Sequence, residues 1–122
     1  MNTPVSSDLA VALDLETIAK ELRTEQAYVR EGHAARTLIR LSDLRIVVIA
    51  LKAGKTMSEH HADVTASVQT LAGHIRLQLP DRRVDLPMGH LLVLGTGVPH
   101  DVSAESDSTF LLTIGWPATH HT

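Results

Sequence analysis

From Thr37 onward the chain falls into short β-rich runs, each closed within a few residues by Gly, Pro, Asp or Ser. The breaks lie at Ser42-Asp43, Ala53-Gly54, Ala72-Gly73, Pro80-Asp81, Pro87-Met88-Gly89, GTGVP (95–99) and ESDS (105–108). Between them the pattern predicts strands near 37–41, 44–52, 56–61, 65–71, 74–79, 82–86, 90–94, 99–104 and 108–115. Many short strands at even spacing, with turn residues between, predict an all-β sandwich or barrel.

Side-chain alternation refines that expectation. HIRLQL (74–79) places Ile75, Leu77 and Leu79 on one face and His74, Arg76 and Gln78 on the other, as a half-buried strand requires. IVVIAL (46–51), LLVL (91–94) and FLLTI (110–114) are apolar on both faces. One face belongs in the barrel. The other needs a helix, a second sheet or a partner subunit, and one short helix can hardly cover three runs, so a homodimer is expected. The helix is read from DLETIAKELRTE (14–25), where Leu15, Ile18, Ala19 and Leu22 share a face and Asp14 is placed to cap. Gly32 and the polar residues around it, His33 included, read as a connection. The chain divides into an N-terminal segment (1–36), one barrel (37–117) and a short tail (118–122).

Composition narrows the function. With 122 residues, 43% hydrophobic and 20% charged, the chain is expected to form one globular domain. A net charge of −3 and scattered basic residues argue against nucleic acid as a partner. The chain has no cysteine, which removes thiolate chemistry. No run approaches the roughly 18 apolar residues of a membrane span, and no leader pattern opens the chain, so no membrane partner and a cytoplasmic location are expected. One Trp, one Tyr and one Phe leave an aliphatic core and little for stacking on bases.

The polar punctuation carries a resemblance. Gly54 is followed after five residues by His60, and that stretch closes at Gly73. Farther on stand Pro87-Met88-Gly89 and Gly97-Val98-Pro99-His100. Over roughly residues 45–116 the chain resembles the cupin superfamily, as a small single-domain cupin. The resemblance implies a double-stranded β-helix, or jelly-roll barrel, with metal ligands at four positions. Here those positions hold His60, Ala62, Ala66 and His100, so only two ligands remain. His60 and His100 are candidate metal ligands and candidate pocket histidines. Gln69 is a candidate pocket-lining group if a bulge between 62 and 69 turns it inward. His61, adjacent to His60, should point away by strand parity. Glu59, Asp63 and Asp101 also have the wrong parity for a third ligand. His90 falls at a turn, His74 on an exposed strand face, and His120 and His121 in the tail.

Two imidazoles do not complete a site for zinc, which takes three or four protein ligands, or for non-haem iron, which takes two His and a carboxylate. Replacing His and Glu by alanines also leaves space that must collapse or fill. The expectation is a barrel that binds a small molecule, or a loosely held divalent metal (Zn, Ni, Fe or Mn) or none. The alternative is a metal-dependent dioxygenase or isomerase using His60, His100 and an unidentified third ligand. A metal-free enzyme with a His base and a sensor module rank lower. A pocket with imidazoles and no carboxylate favours a neutral or anionic ligand.

Overall fold

The structure, a computed structural model, describes residues 9–60 and 63–116, with Glu59 and His60 described in their backbone only. The expected helix is α1 (Leu15–Thr24). Asp14 caps it: the Thr17 backbone N–H donates to Oδ1 at 3.2 Å and the Thr17 hydroxyl to Oδ2 at 2.7 Å. These hydrogen bonds hold the exposed Asp14 carboxyl below the usual carboxylate range. A second helix, α2 (Gln26–Glu31), stands in the expected connection. It forms because Tyr28 is buried against Leu22 and Ala34. Gly32 closes it at φ 86, a left-handed conformation natural to glycine.

Nine strands follow among the described residues: β1 His33–Arg40, β2 Leu44–Leu51, β3 Thr56–His60, β4 Ala66–Ala72, β5 His74–Gln78, β6 Arg83–Pro87, β7 Leu91–Leu94, β8 His100–Ala104 and β9 Ser108–Gly115. They form a five-stranded sheet, β1-β2-β9-β4-β7, facing a four-stranded sheet, β3-β8-β5-β6, with every neighbouring pair antiparallel. This is the expected jelly-roll barrel. β1 begins four residues before the sequence predicted. His33, Ala34, Ala35 and Arg36 pair with Leu51, Ala50, Ile49 and Val48, so the partner strand orders a segment whose own composition is polar.

Alternation along the strands separates two apolar clusters. Ile49 and Leu51 of β2 and Phe110 of β9 point between the sheets, where they meet Val68, Ile75, Leu77, Leu86, Leu94 and Val102. Val48 and Ala50, on the opposite face of β2, pack under Leu22 and Tyr28, with Leu111 of β9 beside them. Two of the three doubly apolar strands are thus covered by the helices. β7 is not: it is an edge strand, and Leu91 and Val93 on its outer face are 58% and 61% exposed. No described helix is long and apolar enough to cross a membrane.

The two ends of the barrel differ. At one end the sheets are tied together. The Thr70 hydroxyl donates to the Leu86 carbonyl at 2.8 Å, the His74 N–H to the Ser108 hydroxyl at 2.9 Å, and the Gly89 N–H to the Thr70 carbonyl at 2.8 Å. At the other end β3 stops at His60 in the small sheet, β4 starts at Ala66 in the large one, and the chain crosses back through residues 95–99. This end carries His60, Ala66, Leu94, His100 and the β1–β2 turn, and it forms the mouth.

Candidate functional site at the barrel mouth

β8 runs His100, Asp101, Val102, Ser103, Ala104, and Val102 and Ala104 are buried in the interior cluster. His100 shares their parity and so stands on the inner face at the mouth. Its Nδ1–H donates to the Val98 carbonyl at 3.1 Å, because a carbonyl can only accept. In a neutral ring that bond places the proton on Nδ1. His100 also lines a hollow of about 220 Å³ with Gln78, Leu79, Pro80, Pro99 and Asp101.

The register pairs His60 directly with His100. Met57 pairs with Val102, so three steps on β3 match two on β8, and a bulge lies between Met57 and His60. Without it Glu59 would stand opposite His100. Directly opposed positions of an antiparallel pair lie on one face, about 4.5–5.5 Å apart at Cβ. Positions 60 and 100 are therefore neighbours. His61 and Ala62 lie outside the described residues, as do His120 and His121.

Ala66 is buried and stands between Leu94 and Ile114 in the ladder. Gln69 requires a correction. The ladder from Ala66 to Thr70 is regular, and its irregularity falls after Thr70. Val68 and Thr70 are buried, while Gln69 is exposed on the opposite face with Ser67. No bulge falls between Ala66 and Gln69 to turn it inward, so it does not line the barrel. His90 is exposed in the turn at the closed end, where its carbonyl accepts from the Thr70 N–H. His74 and Arg76 meet Asp85 on the outer face of the small sheet, at 3.4 and 2.6 Å. Arg76 chiefly, and His74 after it, hold the Asp85 carboxyl below its usual range.

One residue of the mouth escaped the sequence reading. Arg45 precedes the apolar run of β2 and has the inward parity of Val47, Ile49 and Leu51. Across the large sheet Arg40, Arg45, Ile114, Ala66 and Leu94 follow one another as register partners. Arg45 is thus on the inner row two strands from Ala66. Its guanidinium carbon lies 5.2 Å from the centre of the Trp116 ring. Its Nε is buried with no hydrogen-bond partner, an arrangement that typically costs about 1–3 kcal/mol. The available signal was a charged residue at inward parity beside an apolar strand.

No protein-family model matches the chain, and neither does any curated protein. Solved structures do. A conserved protein of unknown function from Streptococcus pyogenes is 27% identical, with a TM-score of 0.73, over 92% of this chain and 92% of that one. A cupin superfamily protein from Desulfitobacterium hafniense is 15% identical over 70% of this chain and 78% of that one, with a TM-score of 0.67. The chain is a small cupin-fold protein. Salicylate 1,2-dioxygenase from Pseudoaminobacter salicylatoxidans superposes with a TM-score of 0.75 at 18% identity, covering 84% of this chain and 32% of the dioxygenase. The cupin thus spans about a third of that enzyme, and the likeness is one of fold.

The donor set at this mouth fits a divalent metal poorly. His100 has the form of a ligand, with one ring nitrogen held by a carbonyl and the lone pair on the other. The register sets His60 beside it. The carboxylate position is Ala66, and Gln69 does not replace it. Among the described residues no three His, Asp or Glu side chains gather in a group that could hold a metal.

Proposed function

We propose that this cupin-fold protein binds a small organic molecule at the barrel mouth, beside His60 and in the hollow that His100 lines. The observation that supports this reading is the β3–β8 register. It makes positions 60 and 100 direct cross-strand partners, while the position where the resemblance implies a carboxylate is a buried alanine. Polar groups that converge on an apolar hollow are the usual composition of a small-molecule site. His100 and the polar groups beside it orient the ligand, and Leu79, Pro80 and Pro99 supply the apolar walls of the hollow.

The test is metal content by mass spectrometry on untagged protein, with thermal shifts against small organic compounds, in the parent and in His100→Ala. The expected result is no stoichiometric metal after incubation with zinc, nickel, iron or manganese. Organic ligands should raise the melting midpoint, by the equivalent of about 2.7 kcal/mol at a hundredfold excess over Kd, and His100→Ala should lose that response. Near-stoichiometric metal in the parent, absent from the variant, would replace this reading with the metal-dependent dioxygenase or isomerase alternative.

The cupin also pairs with a second copy of itself through the outer face of β7. An edge strand with two exposed aliphatic side chains is a template for association unless it is covered. Sedimentation at micromolar concentration should give roughly twice the chain mass, and Leu91→Asp should give a monomer. A monomeric parent would leave Leu91 and Val93 as isolated surface residues and end the idea.

A further inference from the structure

We propose that Arg45 and Trp116 form a carboxylate-binding subsite at the mouth, so that the molecule held there is a small organic monoacid. This rests on the reading that the mouth holds an organic ligand, and it names the ligand's class.

Three arginines are half-buried: Arg36, Arg45 and Arg76. Arg36 is met by Glu21 and Glu25, and Arg76 by Asp85 and Glu105. Arg45 alone of the three has no carboxylate and no side-chain hydrogen bond among the described residues, and its Nε is buried. Its Nε is withdrawn from water without a partner, and a cation so placed calls for an anion. Among the described residues the inner row supplies none: Arg40 and Ile114 are its register partners, with Ala66 and Leu94 beyond. Asp43 in the β1–β2 turn and Asp63 in the loop before β4 are exposed.

The geometry favours a planar acceptor. The guanidinium carbon lies over the Trp116 ring, 5.2 Å from its centre. A guanidinium beside an aromatic ring can still meet a carboxylate through its outer N–H groups in a paired, bidentate bond. Arg45, Trp116, Leu41 and Ser42 line a hollow of about 200 Å³. Its walls are an indole ring, an aliphatic side chain and one hydroxyl, which suit a carboxylate on a small apolar body. A phosphate would need several converging donors, and one guanidinium does not supply them.

The single tryptophan of the chain is Trp116, so its fluorescence reports from this subsite. The full chain is titrated with benzoate, with benzamide as the neutral isostere, and with inorganic phosphate. The same titrations are made on Arg45→Gln, Arg45→Met and His100→Ala. Benzoate should give a saturable change at millimolar concentration or below. Benzamide should bind about tenfold more weakly, and both Arg45 variants should lose about tenfold for benzoate with little change for benzamide. Circular dichroism confirms that the variants are folded, and the benzoate-to-benzamide ratio in the parent needs no variant. Equal binding of benzoate and benzamide, tighter binding of phosphate, unchanged benzoate binding in the Arg45 variants, or no response to benzoate would each overturn the assignment. If both aromatic probes bind, depend on His100 and ignore Arg45, the mouth remains a ligand site and the carboxylate subsite is withdrawn.

Discussion

Gly73→Ala is expected to lower unfolding free energy by about 3 kcal/mol, the sum of a left-handed backbone penalty and an overpacking penalty. Gly73 turns the chain from β4 into β5, out of one sheet and into the other, at φ +80. A Cβ there would overlap the Asp107 carbonyl oxygen and stand 2.5 Å from Ser108 Oγ and 2.9 Å from Ser108 Cα. Two of these obstacles are backbone atoms at the start of β9, which cannot swing aside as a flexible side chain would. Moving them disturbs the 2.9 Å bond from the His74 N–H to the Ser108 hydroxyl and the 3.0 Å bond from the Met88 N–H to the Gly73 carbonyl. Gly54 is the control. Its φ is +81, with nothing within 4 Å of an added Cβ, so Gly54→Ala should cost only the backbone part, about 1–2 kcal/mol. Urea unfolding of both variants measures the difference. Equal losses would show that the close approach at Gly73 carries no energy of its own.

The strand pattern was legible because turn residues and alternation are local properties. Every predicted strand from 44 onward has its counterpart within two residues at either end. The start of β1 and the helix α2 were not legible, since both are ordered from outside, β1 by pairing with Leu51 to Val48 and α2 by the burial of Tyr28. The site was legible in part. His60 and His100 stand out from their motifs, and Ala66 from its spacing to Gly73. Which face each residue takes depends on where the ladder slips. One slip lies between Met57 and His60 and another between Thr70 and Ala72. Neither leaves a mark in composition, and the reading of Gln69 failed for that reason. Arg45 was overlooked because the run IVVIAL begins one residue later. Carried one step back with the same parity, the run places a cation in the barrel.

Leu22→Ala is expected to remove about 3 kcal/mol of stability, within the 2–5 kcal/mol typical of such truncations, while leaving the barrel mouth in place. Leu22 is fully buried and is the aliphatic anchor of the outer cluster, with Tyr28 beside it and Val48 and Ala50 beneath. The interior cluster lies on the other face of the same strands, where Ile49 and Leu51 contribute instead. The sheet is the partition: a cavity under α1 touches no residue of the mouth. Two measurements separate the effects. Urea unfolding gives the loss of stability. Hydrogen exchange should show the amides of α1 and α2 opening sooner, while those of β5 around the buried Leu77 stay protected to nearly the global limit. Simultaneous loss of protection in helices and barrel would mean that the two clusters unfold as one unit, and that the helices are as much a part of the barrel's stability as its own strands. Differential loss would fix their role as a cover, one that shields β2 and β9 from water and leaves β7 as the uncovered edge.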